Sequence, residues 1–258
     1  MKTSKLEVVR VSKRYGSVEV LRDISFEVSS YEALGYVGKN GSGKSTTVKI
    51  LLGLTQPTSG TVLFNGVDIN ADISAWRERI GYVPELPVVY PYLSAMEHLE
   101  LVGRLRSLPE PLLQQKASDL IHLLSLWDFR DMPMAGYSKG MKQRVLIAAA
   151  LLHNPDVLIL DEPLSGLDSE STIIFKRLIT ALQKAGKCIL CCSHTIAAVR
   201  DICTRVAVLN KGEITGTGNA DEVQAQIHTM EQDSVARERR AEQAGERVAQ
   251  NIIATIAG

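Results

Sequence analysis

Residues 38–46 read Gly38-Lys39-Asn40-Gly41-Ser42-Gly43-Lys44-Ser45-Thr46. The pattern is G-x-x-x-x-G-K-[S/T], and its residue types suit one task, holding a chain of phosphates. Glycines Gly38, Gly41 and Gly43 let the loop wrap a bulky anion closely, with backbone N–H groups pointing inward. The helix that begins near Lys44 adds the positive end of its dipole. Lys44 places a point charge on the β- and γ-phosphates, so it is a candidate for catalysis as well as binding. Asn40, Ser42 and Thr46 complete the candidate cradle, and Ser45 offers a hydroxyl to Mg²⁺.

Asp161 and Glu162 follow Val157-Leu158-Ile159-Leu160, an unbroken apolar run typical of a central parallel strand. Ligands of open α/β sheets sit at the carboxyl ends of strands, which places both acids beside the phosphate loop. Asp161 would hold Mg²⁺, and Glu162 would polarise an attacking water as general base. Two adjacent acids at a strand end are otherwise simply solvated. His194 follows a second such strand and Ser193. It should emerge at the same sheet edge as Glu162 and meet the γ-phosphate; the plainer alternative is a satisfied core histidine.

The elements that must position these groups are visible in the apolar pattern. Residues 5–12 alternate, and Val18–Leu21 and Ile24–Val28 continue as short antiparallel strands. Ala33–Val37 is an apolar strand entering the glycine loop, and Thr46–Leu54 is the helix leaving it. Gly60–Phe64 and Gly81–Val83 are further strands, with Asn65-Gly66 as a turn. From Pro84 the texture becomes helical: six of nine prolines fall between residues 84 and 133, marking helix joints. Ser94-Ala95-Met96-Glu97 is a capping box, and 112–126 is a second amphipathic segment. After Pro155 strands and helices alternate again: helix 173–185 ends at Gly186, a strand spans 187–192, and a short helix 195–203. Val206–Leu209 and Glu213–Thr217 form a hairpin across Asn210-Lys211-Gly212.

This order predicts an α/β fold of the P-loop NTPase kind, a mostly parallel sheet with an antiparallel β edge and an inserted helical subdomain. Residues 1–85 and 153–219 are the expected core, 86–152 the helical subdomain and 220–258 a C-terminal helical tail. In the tail Val248, Ile252 and Ile256 fall at i, i+4, i+8, one face of an amphipathic helix. That face packs on its own domain or on a partner; the pattern leaves both open.

Tyr137-Ser138-Lys139-Gly140-Met141-Lys142-Gln143-Arg144 precedes the Asp161 strand and opens an apolar helix. It resembles the signature element of ATP-binding-cassette (ABC) ATPases, usually L-S-G-G-Q-x-Q-R. The resemblance runs over most of residues 5–218, with the other elements in the family's order. It implies that Tyr15 stacks on the adenine of ATP, although an ordinary strand-end aromatic would look the same. Glu85 stands at the Q-loop position as a further Mg²⁺ ligand, Ser165-Gly166-Leu167-Asp168 at the D-loop, and His194 at the switch histidine. Lys139 and Met141 depart from the usual signature, and Glu85 replaces a glutamine. Ser138 and Gly140 remain, at the positions that approach a γ-phosphate. This form is similar to the ABC-2-type exporter subfamily.

The resemblance implies ATP and Mg²⁺ as cofactors, ATP hydrolysis, and a head-to-tail dimer with a second cassette. ATP at Lys44 of one subunit is then covered by Ser138 and Gly140 of the other. Two transmembrane permease subunits would use the motion, receiving force in a groove near Glu85 and Tyr90–Leu93. A soluble ABC-type ATPase of an assembly complex, such as iron–sulfur cluster assembly, is the alternative.

Lys+Arg and Asp+Glu number 29 each, so the basic excess of a nucleic-acid binder is missing. No apolar run approaches the ~20 residues of a membrane span. The start lacks the apolar stretch of a signal peptide. These features predict a cytoplasmic protein, and the resemblance places it peripherally on the cytoplasmic face of the cell membrane. Cys188 and Cys191 have C-x-x-C spacing. On one strand such residues face opposite sides, so buried reduced thiols are the expectation rather than a metal site.

Overall fold

Alternating apolar residues near the start of the chain make two long strands, β1 (Lys5–Tyr15) and β2 (Val18–Ser29), paired antiparallel. The computed structural model describes residues 3–165 and 167–225; the expected tail helix beyond 225 and Gly166 of the D-loop lie outside them. The sequence suggests a break in β2 at Arg22-Asp23. The strand instead runs through with a bulge: Val11 faces Ile24, Lys13 faces Leu21, and Asp23 takes φ +48°. Bulges add a residue and twist the strand without ending it.

Strand β3 (Glu32–Val37) leads to helix α1 (Lys44–Leu51). Strands β4 (Ser59–Phe64) and β5 (Val67–Asp68) then meet across Asn65-Gly66, both at positive φ, the conformation of a tight two-residue hairpin. Sheet order β2-β1-β4-β5 results. Helix α2 (Ile73–Arg79) has no counterpart in the sequence reading. It buries only Trp76, so it carries no apolar period, and the Asp72 carboxylate caps it by accepting from the Ser74 and Ala75 N–H groups.

Strand β6 (Ile80–Val83) is followed by helices α3 (Ala95–Leu105), α4 (Glu110–Leu123) and α5 (Lys139–Leu151). Strand β7 (Val157–Asp161), helix α6 (Ser169–Lys184), strand β8 (Cys188–Ser193), the single turn α7 (Ile196–Val199), and strands β9 (Arg205–Asn210) and β10 (Glu213–Gly218) complete the described fold. The second sheet has the order β10-β9-β3-β8-β7-β6. Every pair in it is parallel except β9–β10.

Strand side chains alternate between faces, and the main sheet therefore has two cores. Leu158, Leu160, Ile189, Cys191 and Val206 face α3, α4, α5 and α6. Val157, Ile159, Cys188, Leu190 and Cys192 face α1, α2 and the antiparallel sheet. The three cysteines of β8 are thus buried and free, on opposite faces as their spacing requires. Gly81 lets α5 approach β6 closely, since a Cβ there would lie 2.5 Å from the Ala150 carbonyl oxygen.

The start of α3 carries both bonds of a capping box. Glu97 N–H donates to Ser94 Oγ at 3.2 Å, and Ser94 N–H donates to Glu97 Oε2 at 2.8 Å. Replacing Ser94 with alanine should cost about 1 kcal/mol. Urea unfolding of the two proteins measures it, and an unchanged midpoint would remove the cap from the stability of α3.

Candidate active site

Three neighbouring parallel strands, β3, β8 and β7, end at the same edge. The ladder continues past them: Gly38 N–H donates to the Ser193 carbonyl at 3.1 Å, and Glu162 N–H to the Cys192 carbonyl at 2.9 Å. Strands in a sheet lie about 4.8 Å apart, so the glycine loop, Ser193-His194 and Asp161-Glu162 are forced into adjacent positions. These residues are far apart in the chain and meet only because the strands pair in this order.

The loop is built around tight backbone approaches. A Cβ on Gly38 would lie 2.4 Å from the Leu209 carbonyl oxygen and 2.5 Å from Ser42 Oγ. Gly43 takes φ +116° as N-cap of α1 and contributes no side-chain cap. The first-turn N–H groups of α1 are thereby left for an anion. Lys44 is buried, and its ammonium donates to the carbonyls of Gly38 and Lys39, so it lies over the loop. Ser42 Oγ is buried with no hydrogen-bond partner among the described residues. An orphaned hydroxyl and an uncapped helix start in a positively charged loop fit the oxygens of a polyphosphate. Lys211-Gly212, the turn of the β9–β10 hairpin, supports the loop from behind by donating from Gly212 N–H to the Ser42 carbonyl at 3.0 Å.

Glu162 stands in an unusual place. Its φ is +45°, a conformation that side chains other than glycine adopt at a cost of about 1–3 kcal/mol and that clusters at functional sites. Its carboxylate is nearly buried and held at both oxygens. Ser193 Oγ donates to Oε2 at 3.2 Å, and His194 Nδ1 lies 2.9 Å from Oε1. An ionised carboxylate only accepts, so this pair puts the imidazole proton on Nδ1. The His194 side chain itself is 56% exposed, which removes the alternative of a buried core histidine.

Asp161, one residue earlier, has its carboxyl pushed up to about 6. Burial is the main cause, the charges of Glu85 and Glu162 add to it, and Lys44 opposes them. Carboxylates crowded in this way favour a cation among them. Among the described residues no three His, Cys, Asp or Glu side chains form a ready metal cluster. Two carboxylates and the Ser45 hydroxyl instead suit an ion that keeps waters and phosphate oxygens as its remaining ligands.

The other expected residues lie elsewhere. Ser138 is the N-cap of α5, its Oγ accepting from Met141 N–H at 3.2 Å. Gly140 abuts α6, where a Cβ would meet Ser171 Oγ at 3.0 Å and Asp168 Oδ2 at 3.5 Å. The signature segment therefore sits against the Asp168 cap of α6, on an element separate from the loop that holds Lys44. Tyr15, an exposed residue, closes β1 with the Lys13 ammonium 5.1 Å from its ring centroid. Its hairpin leans on the loop, because Leu21, opposite Lys13, fills the space beside Gly43.

A family model described as ABC transporter matches residues 21–165. The chain is 38% identical to an ABC transporter ATP-binding protein of Nostoc sp. over 79% of its own length and 61% of the relative's. It is 32% identical to Nod factor export ATP-binding protein I of Ralstonia nicotianae, over 84% and 68%. Among solved structures, cbiO1 of Clostridium perfringens, part of the ABC transporter complex cbiONQ, superposes with a TM-score of 0.78 at 29% identity, covering 89% and 94%. The chain belongs to the ABC transporter family. Within it this is an ATP-binding protein and an ATPase, with the cassette fold that the motif order predicts. No described helix is long and apolar enough to cross a membrane.

Two residues of the cassette's site escaped the sequence reading. Ser193 was visible only as the neighbour of His194, yet it is the second anchor of Glu162. Gln143, in the middle of the signature segment, is buried and donates from Nε2 to the Pro84 carbonyl at 3.4 Å, tying α5 to the loop that carries Glu85.

The raised carboxyl of Asp161 has a sign that can be checked. A carboxyl whose folded pKa exceeds the unfolded value binds more protons when folded, so the cassette loses stability as pH rises from about 4 to 6. Asp161→Asn removes that loss. Relative to wild type, the variant should gain stability across this window and no more above it, in chelator-treated buffer without nucleotide. Chemical unfolding at pH 4, 5, 6 and 7 decides it; a constant difference would mean that Asp161 titrates normally.

Proposed function

We propose that this chain hydrolyses ATP between two cassettes and thereby drives a separate membrane permease that works as an exporter. The observation that carries the proposal is the hydrogen-bonded alignment of the phosphate loop with Glu162, Ser193 and His194 at one sheet edge. In this reading Gly38, Asn40, Gly41, Ser42, Gly43 and Thr46 wrap the phosphates, and Lys44 lends its charge to them. Tyr15 stacks on adenine. Glu162, fixed by Ser193 and His194, accepts a proton from the attacking water, and His194 faces the γ-phosphate with Nε2, donating to it when both ring nitrogens carry protons. Ser45, Asp161 and Glu85 would hold Mg²⁺, which when bound offsets charge on the phosphate oxygens.

Ser138 and Gly140 act on the ATP of the second cassette. Their place against α6, away from their own Lys44, supports a head-to-tail pair. Leu86, Val88, Tyr90 and Tyr92 expose 61–89% of their surface in the stretch after Glu85, and this apolar patch is the surface proposed for the permease. Association with two permease subunits would hold the chain at the cytoplasmic face of the membrane. An export role is supported by the name of the Ralstonia relative, and a transporter context by the complex that contains cbiO1. Both count against a soluble assembly ATPase.

Glu162→Gln should bind ATP, hydrolyse it about 10²–10⁴-fold more slowly, and accumulate an ATP-bound dimer. Turnover and light scattering of the purified variant test both parts, and near-wild-type turnover would take the base role from Glu162. Lys44→Ala should lose nucleotide affinity as well as turnover, since the ammonium meets phosphates in the ground state. Calorimetry measures that; unchanged affinity would confine Lys44 to the transition state.

A further inference from the structure

A cavity lies away from the phosphate loop, at the opposite end of the main sheet. It measures about 700 Å³ and opens between the antiparallel sheet, α2 and the start of β8. This is within the roughly 300–1,000 Å³ of small-molecule sites. None of the ATP-site residues lines it. Asp156 and Lys187 at its edge precede β7 and β8, whose other ends carry Glu162 and His194.

Its walls define a ligand class. Phe64 and Trp76 pack with ring centroids 5.3 Å apart, and the Tyr31 ring lies over Gly186, 3.3 Å from where a Cβ would stand. Three aromatic rings around one space suit a flat apolar body. The acids of the lining are already engaged. Asp68 accepts from Thr61 Oγ1 and Asn70 N–H, Asp72 caps α2, and Asp156 pairs with Arg79 at 3.1 Å. The cations are less committed. The Lys184 ammonium has no hydrogen-bond or ion-pair partner among the described residues, and Lys187 is anchored on Asn154 with its pKa lowered by burial. An incoming anion would find charge to meet, whereas an incoming cation would find acids whose lone pairs are in use.

We propose that this cavity binds a small aromatic carboxylate, its ring between Tyr31, Phe64 and Trp76 and its carboxylate against Lys184 and Lys187. The site is independent of ATP. Calorimetric titration of the full chain with 2-naphthoate should give one saturable site with a dissociation constant of roughly 1 mM or tighter. The neutral 2-naphthamide should bind at least tenfold more weakly. Saturating ATP should leave the naphthoate affinity unchanged. Lys184→Glu, on the exposed end of α6, should weaken naphthoate at least tenfold, and Ala75→Trp, which fills the cavity, should abolish binding. Both variants should keep wild-type ATP affinity, which shows that they are folded. Absence of saturable heat, equal affinity for the amide, competition by ATP, or undiminished binding in both folded variants would each overturn the proposal.

Discussion

The parallel hydrogen-bond ladder joining β3, β8 and β7 is the constraint on which the cassette rests. Parallel strands finish at the same edge, so whatever follows each of them is delivered to one line in space. Here a phosphate loop follows β3, a serine and histidine close β8, and two acids close β7. The ladder bonds from Gly38 and Glu162 extend the pairing by one residue on each side of β8. A one-residue slip of β8 would turn its buried faces over and carry His194 away from Glu162. Two apolar cores fix the register against such a slip, because the alternating side chains of β7 and β8 fit only one way round.

Within that frame the site is a balance of opposed charges. Lys44 is held over the loop by carbonyls, while the charges of Glu85 and Glu162 act on Asp161 against that of Lys44. The acids repel one another and the backbone of Glu162 is strained. In the reading proposed above, ATP would bring phosphate for the lysine and a bound Mg²⁺ would bring positive charge for the acids. Binding would then relieve both halves at once, which suits a machine whose two states must differ by the presence of its fuel.

Much of this was legible in the sequence, for identifiable reasons. The glycine loop, the acids after Leu160 and the hairpin at Lys211-Gly212 depend on local rules, where a few neighbouring residues dictate the backbone. The α/β order followed from long apolar strands alternating with helices. Helix α2 was not legible, because seven residues with one buried tryptophan show no period. The bulge in β2 read as a break because local pattern cannot tell an added residue from an end. The contacts of Ser193 with Glu162 and of Gln143 with Pro84 span 31 and 59 residues. Only the sheet order and the docking of α5 create them, so no local pattern could announce them.

The cysteines of β8 carry a last implication. Burial pushes the Cys188 thiol up to about 11 and that of Cys192 well above its ordinary value, and a hydrogen bond with Cys203, with burial adding to it, does the same to Cys191. Thiolates are the reactive form, so in the closed sheet these groups are chemically silent, whereas Cys203 is partly exposed. Strand β8 lies between the strand that feeds the phosphate loop and the strand that carries the acids. A thiol reagent can reach Cys191 and Cys192 only when that central layer parts. Alkylation of these two side chains is therefore a clock for the opening of the central layer, readable at cysteines the chain already carries.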